Sequence, residues 1–235
     1  MTDRLRKESK ERLVRDMFSR IAPAYDLVNR FMSWGQDTHW RRVAVDLACP
    51  EQGRVLDVAT GTGDLALELA RHNGSVVGLD FCPEMIKLGK LKASRRELTG
   101  KIDFIVGDVL TLPFEDNSFD CALNGFVLRN VSDVNLFLTE LRRVVKPGGR
   151  VVCLELSKPS SGVIGALYRF YLCRIVPILG RWLSGDRKAY RYLPDSVSSF
   201  VNIAELQHLM KRIGFHQVDY KSLNWGAIAV HIGVK

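Results

Sequence analysis

Short apolar runs rich in Val, Ile and Leu recur along the first two thirds of the chain, at residues 53–58, 76–80, 102–106, 119–124 and 150–156. Runs of this length and composition are typical of parallel strands that are buried on both faces. Segments with helical spacing separate them, among them the stretch from Pro83 to Arg96. This alternation predicts an α/β fold with a doubly wound, mostly parallel sheet.

The pattern changes after the fifth run. Residues 163–183 are largely apolar but contain three arginines, a proline and two glycines, so we expect a helical insertion there. A final helix from Ile203 to Ile213 precedes two alternating runs, which predict an antiparallel strand pair at the sheet edge. We therefore expect one domain over residues 1–235, divided into a helical N-terminal lid (1–48), a core (49–157), the insertion (158–200) and a C-terminal helix with two strands (201–235).

Composition and charge narrow the class of protein only slightly. Apolar residues make up 46% of the chain and charged residues 26%, as in an ordinary globular protein. The net charge of +8 indicates attraction to an anionic partner without distinguishing nucleic acid, a phospholipid surface or a small acidic ligand. The charged N-terminus is unlike a secretory signal, and no uninterrupted apolar run approaches the roughly 18 residues of a spanning helix. We expect a cytoplasmic protein.

A glycine-rich loop follows the first predicted strand. It begins at Asp57, continues through Gly61, Thr62 and Gly63, and leads into a helix. Glycines in a strand–turn–helix context are typical of a backbone that turns sharply beneath a ligand. A lone pair of glycines is also common in turns that only require a positive φ.

Polar residues follow the next three strands. Asp80 ends the second run, where a carboxylate can accept hydrogen bonds from both hydroxyls of a ribose. Asp108 and Val109 come just after the third run and suit an adenine, and Asn124 ends the fourth. Each aspartate alone could be a helix cap or a turn residue. Together with the glycine loop they predict a nucleoside pocket at one edge of the sheet, which would make residues 49–157 a cofactor-binding core.

An NAD site is the main alternative for this pocket, because residues 61–66 formally satisfy the Gly-x-Gly-x-x-Ala pattern. However, the loop starts some 60 residues into the chain and the C-terminus lacks a second nucleotide-binding half. A carboxylate-rich loop also suits the positive charges of S-adenosylmethionine better than a pyrophosphate. This combination is typical of class I methyltransferases.

With these residues in place, the chain closely resembles the ubiquinone/menaquinone biosynthesis C-methyltransferase family from about Met17 to Lys235. The most specific block is residues 143–157, which read Arg-Val-Val-Lys-Pro-Gly-Gly-Arg-Val-Val-Cys-Leu-Glu-Leu-Ser. The segment Leu128-Arg129-Asn130 is a further match. The N-terminal signature is matched incompletely, since Val28 stands where the family usually has Met and Asp37 where it usually has His.

The resemblance implies S-adenosylmethionine as the methyl donor and a polyprenylated quinol as the acceptor. Demethylmenaquinol is the first expectation and the benzoquinol precursor of ubiquinone the alternative. The resemblance implies that Arg129 lowers the pKa of the quinol hydroxyl and that Asn130 orients this hydroxyl or a water. Tyr25 and Asp37 are candidate proton acceptors, although lid packing and a helix cap explain them equally well. No metal site is expected.

The insertion could bind the polyprenyl tail, lie on a bilayer surface or form a lid helix over the sheet. The dense basic stretches, residues 4–15 and 87–96, look like solvated helix faces, so no nucleic acid partner is expected. The oligomeric state stays open, with a homodimer compatible with the sequence. Two other functions stay open as well, namely methyl transfer to another acceptor such as RNA and a non-catalytic cofactor-binding role.

Overall fold

The computed structural model describes residues 2–48, 53–72, 75–159 and 162–235. Its α-helices are α1 Thr2–Ile21, α2 Tyr25–Met32, α3 Asp37–Ala48, α4 Asp64–His72, α5 Pro83–Arg95, α6 Val134–Val144, α7 Val163–Phe170, α8 Val176–Ser184, α9 Arg187–Ser199 and α10 Ile203–Ile213. Its strands are β1 Arg54–Val58, β2 Ser75–Asp80, β3 Ile102–Val106, β4 Phe119–Gly125, β5 Val145–Leu156, β6 His216–Leu223 and β7 Ile228–Val234. Short 3₁₀ turns cover Ala22–Ala24 and Asn224–Gly226, and a π turn covers Tyr171–Ile175.

The seven strands form one sheet in the order β3-β2-β1-β4-β5-β7-β6. Strands β1 to β5 pair in parallel, whereas β7 runs antiparallel to both β5 and β6. The prediction of a mostly parallel, doubly wound sheet with an antiparallel edge pair is therefore confirmed. Because parallel strands share a direction, the loops after β1, β2, β3 and β4 all open at one edge of the sheet.

Strand β5 begins earlier than the apolar pattern predicted. Helix α6 ends at Val144, as the following Lys-Pro-Gly-Gly sequence suggested. The next residue, Val145, already belongs to β5, whereas the apolar run begins at residue 150. The pairing jumps from Phe119–Val145 to Cys121–Arg150, so residues 146–149 form an irregularity in the strand. Pro147 cannot donate a ladder hydrogen bond, which is why such residues are confined to bulges and strand ends.

The core lies on both faces of the sheet, and β4 illustrates how one strand serves both. Ala122 belongs to the cluster that includes α6 and α10, whereas its neighbours Cys121 and Leu123 belong to the cluster that includes α3 and α4. All three are fully buried. This alternation is the two-residue period of a strand with no solvated face.

The N-terminal helices and the insertion share a smaller apolar cluster. Met17, Ile21 and Val28 pack there with Ala189 and Tyr190 of α9. The turn between α1 and α2 also contacts Cys82 and Met85, which follow β2. The two helical additions are thus held together beside the edge of the sheet where the predicted ligand residues lie.

Helices α7 and α8 join through the π turn into one long helical run. Residues Val163–Trp182 form a 20-residue stretch of mean hydropathy 1.5, and only 22% of its apolar window is buried. By length and composition this run could cross a membrane, although the interruptions in the sequence had led us to expect no such stretch. Most of its apolar surface is not covered by the parts of the chain described above.

Candidate active site

The glycine loop turns sharply between β1 and α4. Gly61 and Gly63 have φ values of +57° and +81°, in the left-handed region that side chains disfavour. A Cβ atom at Gly63 would lie 2.9 Å from the ring of Phe104, so this position is also sterically restricted. The Gly61 amide donates to an Asp80 carboxylate oxygen at 2.8 Å, which links the loop to the end of β2.

Two buried carboxyl groups flank this loop. Asp57 is 1% exposed; the Thr60 hydroxyl donates to one of its oxygens at 2.6 Å, and the other has no partner among the described residues. Burial raises the pKa of Asp57 to about 7. Burial likewise raises the pKa of Asp80 to about 6, although the Cys82 and Gly61 amides oppose the shift. Both groups would gain from a ligand that carries positive charge or hydroxyl donors.

A small cavity of about 90 Å³, the nucleoside cavity, opens beside the loop. Of the residues predicted to bind a nucleoside, those that line it are Gly61, Asp80, Asp108 and Val109. Asn130, predicted for the acceptor side, lines it too. The cavity is far below the roughly 300 Å³ of typical ligand pockets. The side chains of α1 and α2 around it must therefore move apart before a whole nucleoside can enter.

The other predicted cofactor residues lie behind this cavity. Asp57, Thr62 and Gly63 belong to the loop but do not line the cavity. Asn124 is fully buried inside β4, where its amide nitrogen lies 3.1 Å from the sulfur of Cys153. The structure therefore brings only part of the predicted set into one cavity.

A larger cavity of about 550 Å³, the acceptor cavity, lies on the other side of Tyr25. Its wall is largely apolar and includes Trp34, Trp40, Leu156 and Leu172. Among the predicted catalytic residues, those that line it are Tyr25, Asp37 and Arg129.

The two cavities meet at two aromatic side chains, because Tyr25 and Phe126 line both of them. Phe126 has a φ of +61°, a strained value for a bulky residue and one that is often found at functional sites. Burial raises the pKa of the Tyr25 hydroxyl, against the effects of a hydrogen bond with Asn29 and of the Arg129 and Arg41 charges. A group transferred between ligands in the two cavities would pass at this junction.

Arg129 forms a buried ion pair at the edge of the acceptor cavity. Its guanidinium donates to the Phe126 carbonyl at 2.9 Å and contacts the carboxylate of Glu155, and the two side chains are 9% and 2% exposed. The Leu156 amide also donates to Glu155 at 2.8 Å. Glu155 was not among the predicted site residues, although it lies in the block that carries the family resemblance.

Asp37 is held by neighbours on its own segment. The Ser33 hydroxyl donates to it at 2.9 Å, and the guanidinium of Arg41 contacts its other oxygen. Arg41 also lies 3.8 Å from Asp64, at the start of α4. These contacts pair Asp37 with Arg41, an arrangement that the residue pattern did not reveal.

Lys92 of α5 completes the connection between the N-terminal helices and the loop. Its ammonium contacts Asp64 and donates to Asp26 of α2 at 2.8 Å and to the Thr62 hydroxyl at 3.1 Å. The Thr62 hydroxyl donates to Asp26 at 2.5 Å. The sequence had suggested a solvated helix face for Lys92, because no local pattern signals a partner that is distant in the chain.

The comparisons with known proteins agree with this geometry. A sequence model of the ubiE/COQ5 methyltransferase family matches residues 6–235. The chain belongs to this family. A relative named demethylmenaquinone methyltransferase, from Thermus thermophilus, is 47% identical over 220 residues, which cover 92% of this chain and 99% of the relative. A ubiquinone/menaquinone biosynthesis C-methyltransferase from Geobacter sulfurreducens is 43% identical and covers 94% of this chain and 88% of its own length.

Solved structures support the fold. A SAM-dependent methyltransferase from Thermotoga maritima superimposes with a TM-score of 0.69 at 21% identity, covering 94% of this chain and 99% of its own. The protein is therefore an S-adenosylmethionine-dependent methyltransferase of the class I fold. Its residues fit this donor, because the unpartnered oxygen of Asp57 can receive the ammonium group and Asp80 the ribose hydroxyls. Asp108 and Val109 remain the predicted adenine contacts.

The raised pKa of Asp57 predicts a pH dependence of stability. Between the ordinary value of 3.8 and about 7 the folded chain holds a proton at Asp57 that the unfolded chain has lost. The free energy of unfolding should therefore fall as pH rises through this window, by a few kcal/mol for this group alone. In Asp57→Asn this contribution is absent, so the cofactor-free variant should lose less stability between pH 4.5 and 7.5. Urea denaturation across that range measures the difference, with the exposed Asp103→Asn as the control. Parallel curves for Asp57→Asn and the wild type would refute the assignment.

Proposed function

We propose that this protein transfers the methyl group of S-adenosylmethionine to a ring carbon of a polyprenylated quinol, with demethylmenaquinol as the principal acceptor. The observation that carries the proposal is the junction at Tyr25 and Phe126, where an apolar cavity of about 550 Å³ meets the nucleoside cavity. An apolar cavity of this size suits a flat ring with the first units of an isoprenoid tail. The name of the Thermus thermophilus relative, demethylmenaquinone methyltransferase, supports the choice of ring.

S-adenosylmethionine supplies an activated methyl group when bound, so the chain itself must align the acceptor and exclude water. A quinol hydroxyl has a pKa of about 10, by analogy with tyrosine. Loss of its proton pushes electron density onto the neighbouring ring carbon. Arg129 lies at the cavity wall, and its buried Nε has no hydrogen-bond partner within the described ranges. This guanidinium can stabilise the phenolate as it forms.

The other predicted catalytic residues take supporting roles in this proposal. Tyr25 lines the junction of the two cavities and orients the acceptor ring. Asn130 donates a hydrogen bond to the Phe126 carbonyl at 3.2 Å, and the same oxygen accepts a hydrogen bond from Arg129. Asn130 therefore fixes the loop that carries Phe126 and Arg129. Asp37 pairs with Arg41 and holds its guanidinium in place.

We further propose that the protein meets its lipid substrate at a bilayer surface. Four side chains line the acceptor cavity and are also exposed, and we name them the apolar rim: Trp34, Ile164, Leu167 and Trp225. Phe170, Ile178 and Trp182 extend the exposed apolar surface along α7 and α8. Basic side chains accompany it, since Arg169, Arg174 and Arg181 are exposed on the same helical run. Apolar groups beside arginines suit a surface of anionic phospholipids.

Methyl transfer tests the proposed reaction. Purified protein with labelled S-adenosylmethionine should methylate reduced demethylmenaquinol, and the benzoquinol precursor of ubiquinone should be assayed in parallel. Asp80→Ala should weaken donor binding about 10²-fold or more, because two hydrogen bonds to a charged acceptor are lost. Donor binding without methylation of either quinol would overturn the proposal and direct the search to other acceptors, RNA first.

Vesicle binding tests the proposed surface. Trp182 is 84% exposed and lies outside the acceptor cavity, so Trp182→Ser should reduce partitioning onto anionic phospholipid vesicles by about tenfold or more. Turnover of a short-chain quinol in detergent should not change. Leu136→Ser, a partly exposed apolar site on α6, is the matched control. A wild-type homodimer that Trp182→Ser converts to monomers would instead assign this surface to a second copy of the chain.

A further inference from the structure

Resting on the proposed function, we propose that Tyr168 donates a hydrogen bond to one quinol oxygen, and that its hydroxyl and the Nε of Arg129 together form the site for that oxygen. Two donors directed at one oxygen would stabilise the negative charge that develops there. Tyr168 belongs to α7. The helical insertion would therefore contribute a catalytic residue and not only an apolar surface.

The Tyr168 hydroxyl is a polar group in a largely apolar wall. The residue lines the acceptor cavity, and its buried hydroxyl has no hydrogen-bond partner in the described parts of the chain. The other α7 residues that line this cavity, Ile164 and Leu167, are apolar and exposed. Packing alone does not require a hydroxyl here, and a buried polar group without a partner is costly. A ligand atom in the cavity would complete it.

The Nε of Arg129 is a second unfilled donor close to this hydroxyl. Arg129 lines the same cavity, and its buried Nε lacks a partner among the residues described. Tyr168 packs against the same apolar cluster as Leu156, whose amide donates to Glu155, the partner of Arg129. The Arg129 charge also acts on the Tyr168 hydroxyl, because it opposes the rise in the pKa of this group. Two donors without partners thus lie in one part of the cavity.

The chemistry of these two groups defines the ligand atom that they would bind. The guanidinium Nε–H can only donate, and a tyrosine hydroxyl donates as readily as it accepts. An atom that accepts from both needs two lone pairs, which an oxygen on an aromatic ring provides. The ring carbon next to that oxygen is the one that becomes nucleophilic when the oxygen ionises, so this site would also select which carbon is methylated.

Local donors matter here because the charges that line the acceptor cavity are already paired. Arg129 pairs with Glu155, and Arg41 pairs with Asp37. Within the described residues, the other titratable groups that face the site are Tyr25, Tyr168, Tyr171 and Tyr192. Burial raises the pKa of each, so all four stay neutral near pH 7. A phenolate would therefore gain from hydrogen bonds more than from net positive charge.

Tyr168 keeps its own proton throughout the reaction, and no bond to it forms or breaks. The quinol O–H bond breaks and its proton goes to water. The electron pair left on the oxygen flows to the neighbouring ring carbon, which forms a C–C bond as the S–CH₃ bond of the donor breaks. That carbon then loses its hydrogen as a proton to water, which restores the aromatic phenolate. The phenolate takes up one proton, so one proton is released for each methyl transferred.

The pH profile of Tyr168→Phe tests this contact. The variant loses a hydroxyl that has no partner within the described chain, so its melting temperature should be unchanged or higher. Because a hydrogen bond to a charged oxygen is lost, kcat at pH 7 should fall about 10- to 10²-fold, with unchanged affinity for S-adenosylmethionine. The deficit should disappear as pH approaches the quinol pKa of about 10, because the acceptor then ionises without help.

Tyr171→Phe is the matched control. Tyr171 lines the same cavity one turn further along the helical run, but its hydroxyl already donates to the Met32 carbonyl at 2.7 Å. Its removal should lower the melting temperature, because the carbonyl loses its partner. The shape of the pH profile should stay that of the wild type, since this hydroxyl is not available to the acceptor.

Titration of a bound phenol gives a second test that does not need turnover. The probe is α-naphthol, which has one ring hydroxyl and absorbs at longer wavelength when ionised. With S-adenosylhomocysteine present, the wild type should bind α-naphthol and lower the pKa of its hydroxyl below the value in water. In Tyr168→Phe the pKa of the bound probe should be about 1 to 2 higher than in the wild type, and in Tyr171→Phe it should be unchanged.

Equal pKa values of bound α-naphthol in the wild type and Tyr168→Phe would overturn the proposal and leave water as the partner of the Tyr168 hydroxyl. A loss of kcat that is the same at all pH values, or a wild type that does not bind α-naphthol, would overturn it as well. If the wild type binds α-naphthol but methylates no quinol, the proposed function fails instead, while the titration still decides on the oxygen site. The two failures are therefore distinguishable.

Discussion

The active site depends on one network of charges that holds the N-terminal helices against the glycine loop. Lys92 lies between Asp26 of α2 and Asp64 of α4, and Arg41 of α3 lies between Asp37 and Asp64. Separation of the helices from the loop would leave partly buried charges without partners, which is costly. This network therefore sets where Tyr25 stands, and Tyr25 divides the space above the sheet into two cavities.

The same network explains why the nucleoside cavity is small. The α1 and α2 side chains Val14, Phe18 and Tyr25 fill the space beside Gly61 and Asp80. Donor binding must therefore displace part of the lid while the ion pairs hold its base. Once the donor is in place, the lid would exclude water from the junction, as methyl transfer requires.

Much of the fold could be predicted from the sequence because it depends on local patterns. The apolar runs located the five parallel strands, and Gly61, Asp80 and Asp108 follow directly from the rule that parallel strands end at one edge. Contacts between distant segments have no such local signal. Lys92 finds its partners 28 and 66 residues away, and Arg129 and Glu155 are 26 residues apart, so neither group could be assembled from spacing alone. For Asn124 the local pattern was misleading. Its position near the end of a strand suggested a ligand contact, but the pleat of the sheet directs its side chain towards β5, where it contacts Val152 and Cys153.

The central claim is that donor and acceptor meet beside Tyr25 and Phe126. The most direct test is an experimental structure of the protein with S-adenosylhomocysteine and demethylmenaquinol bound together. We expect the quinol ring in the acceptor cavity, next to Arg129, with the ring carbon facing the sulfur across a gap sized for one methyl group. The hydroxyl beside that carbon should contact Arg129 or Tyr168. A quinol bound outside the acceptor cavity, or a ring whose reactive carbon does not face the sulfur, would contradict the account.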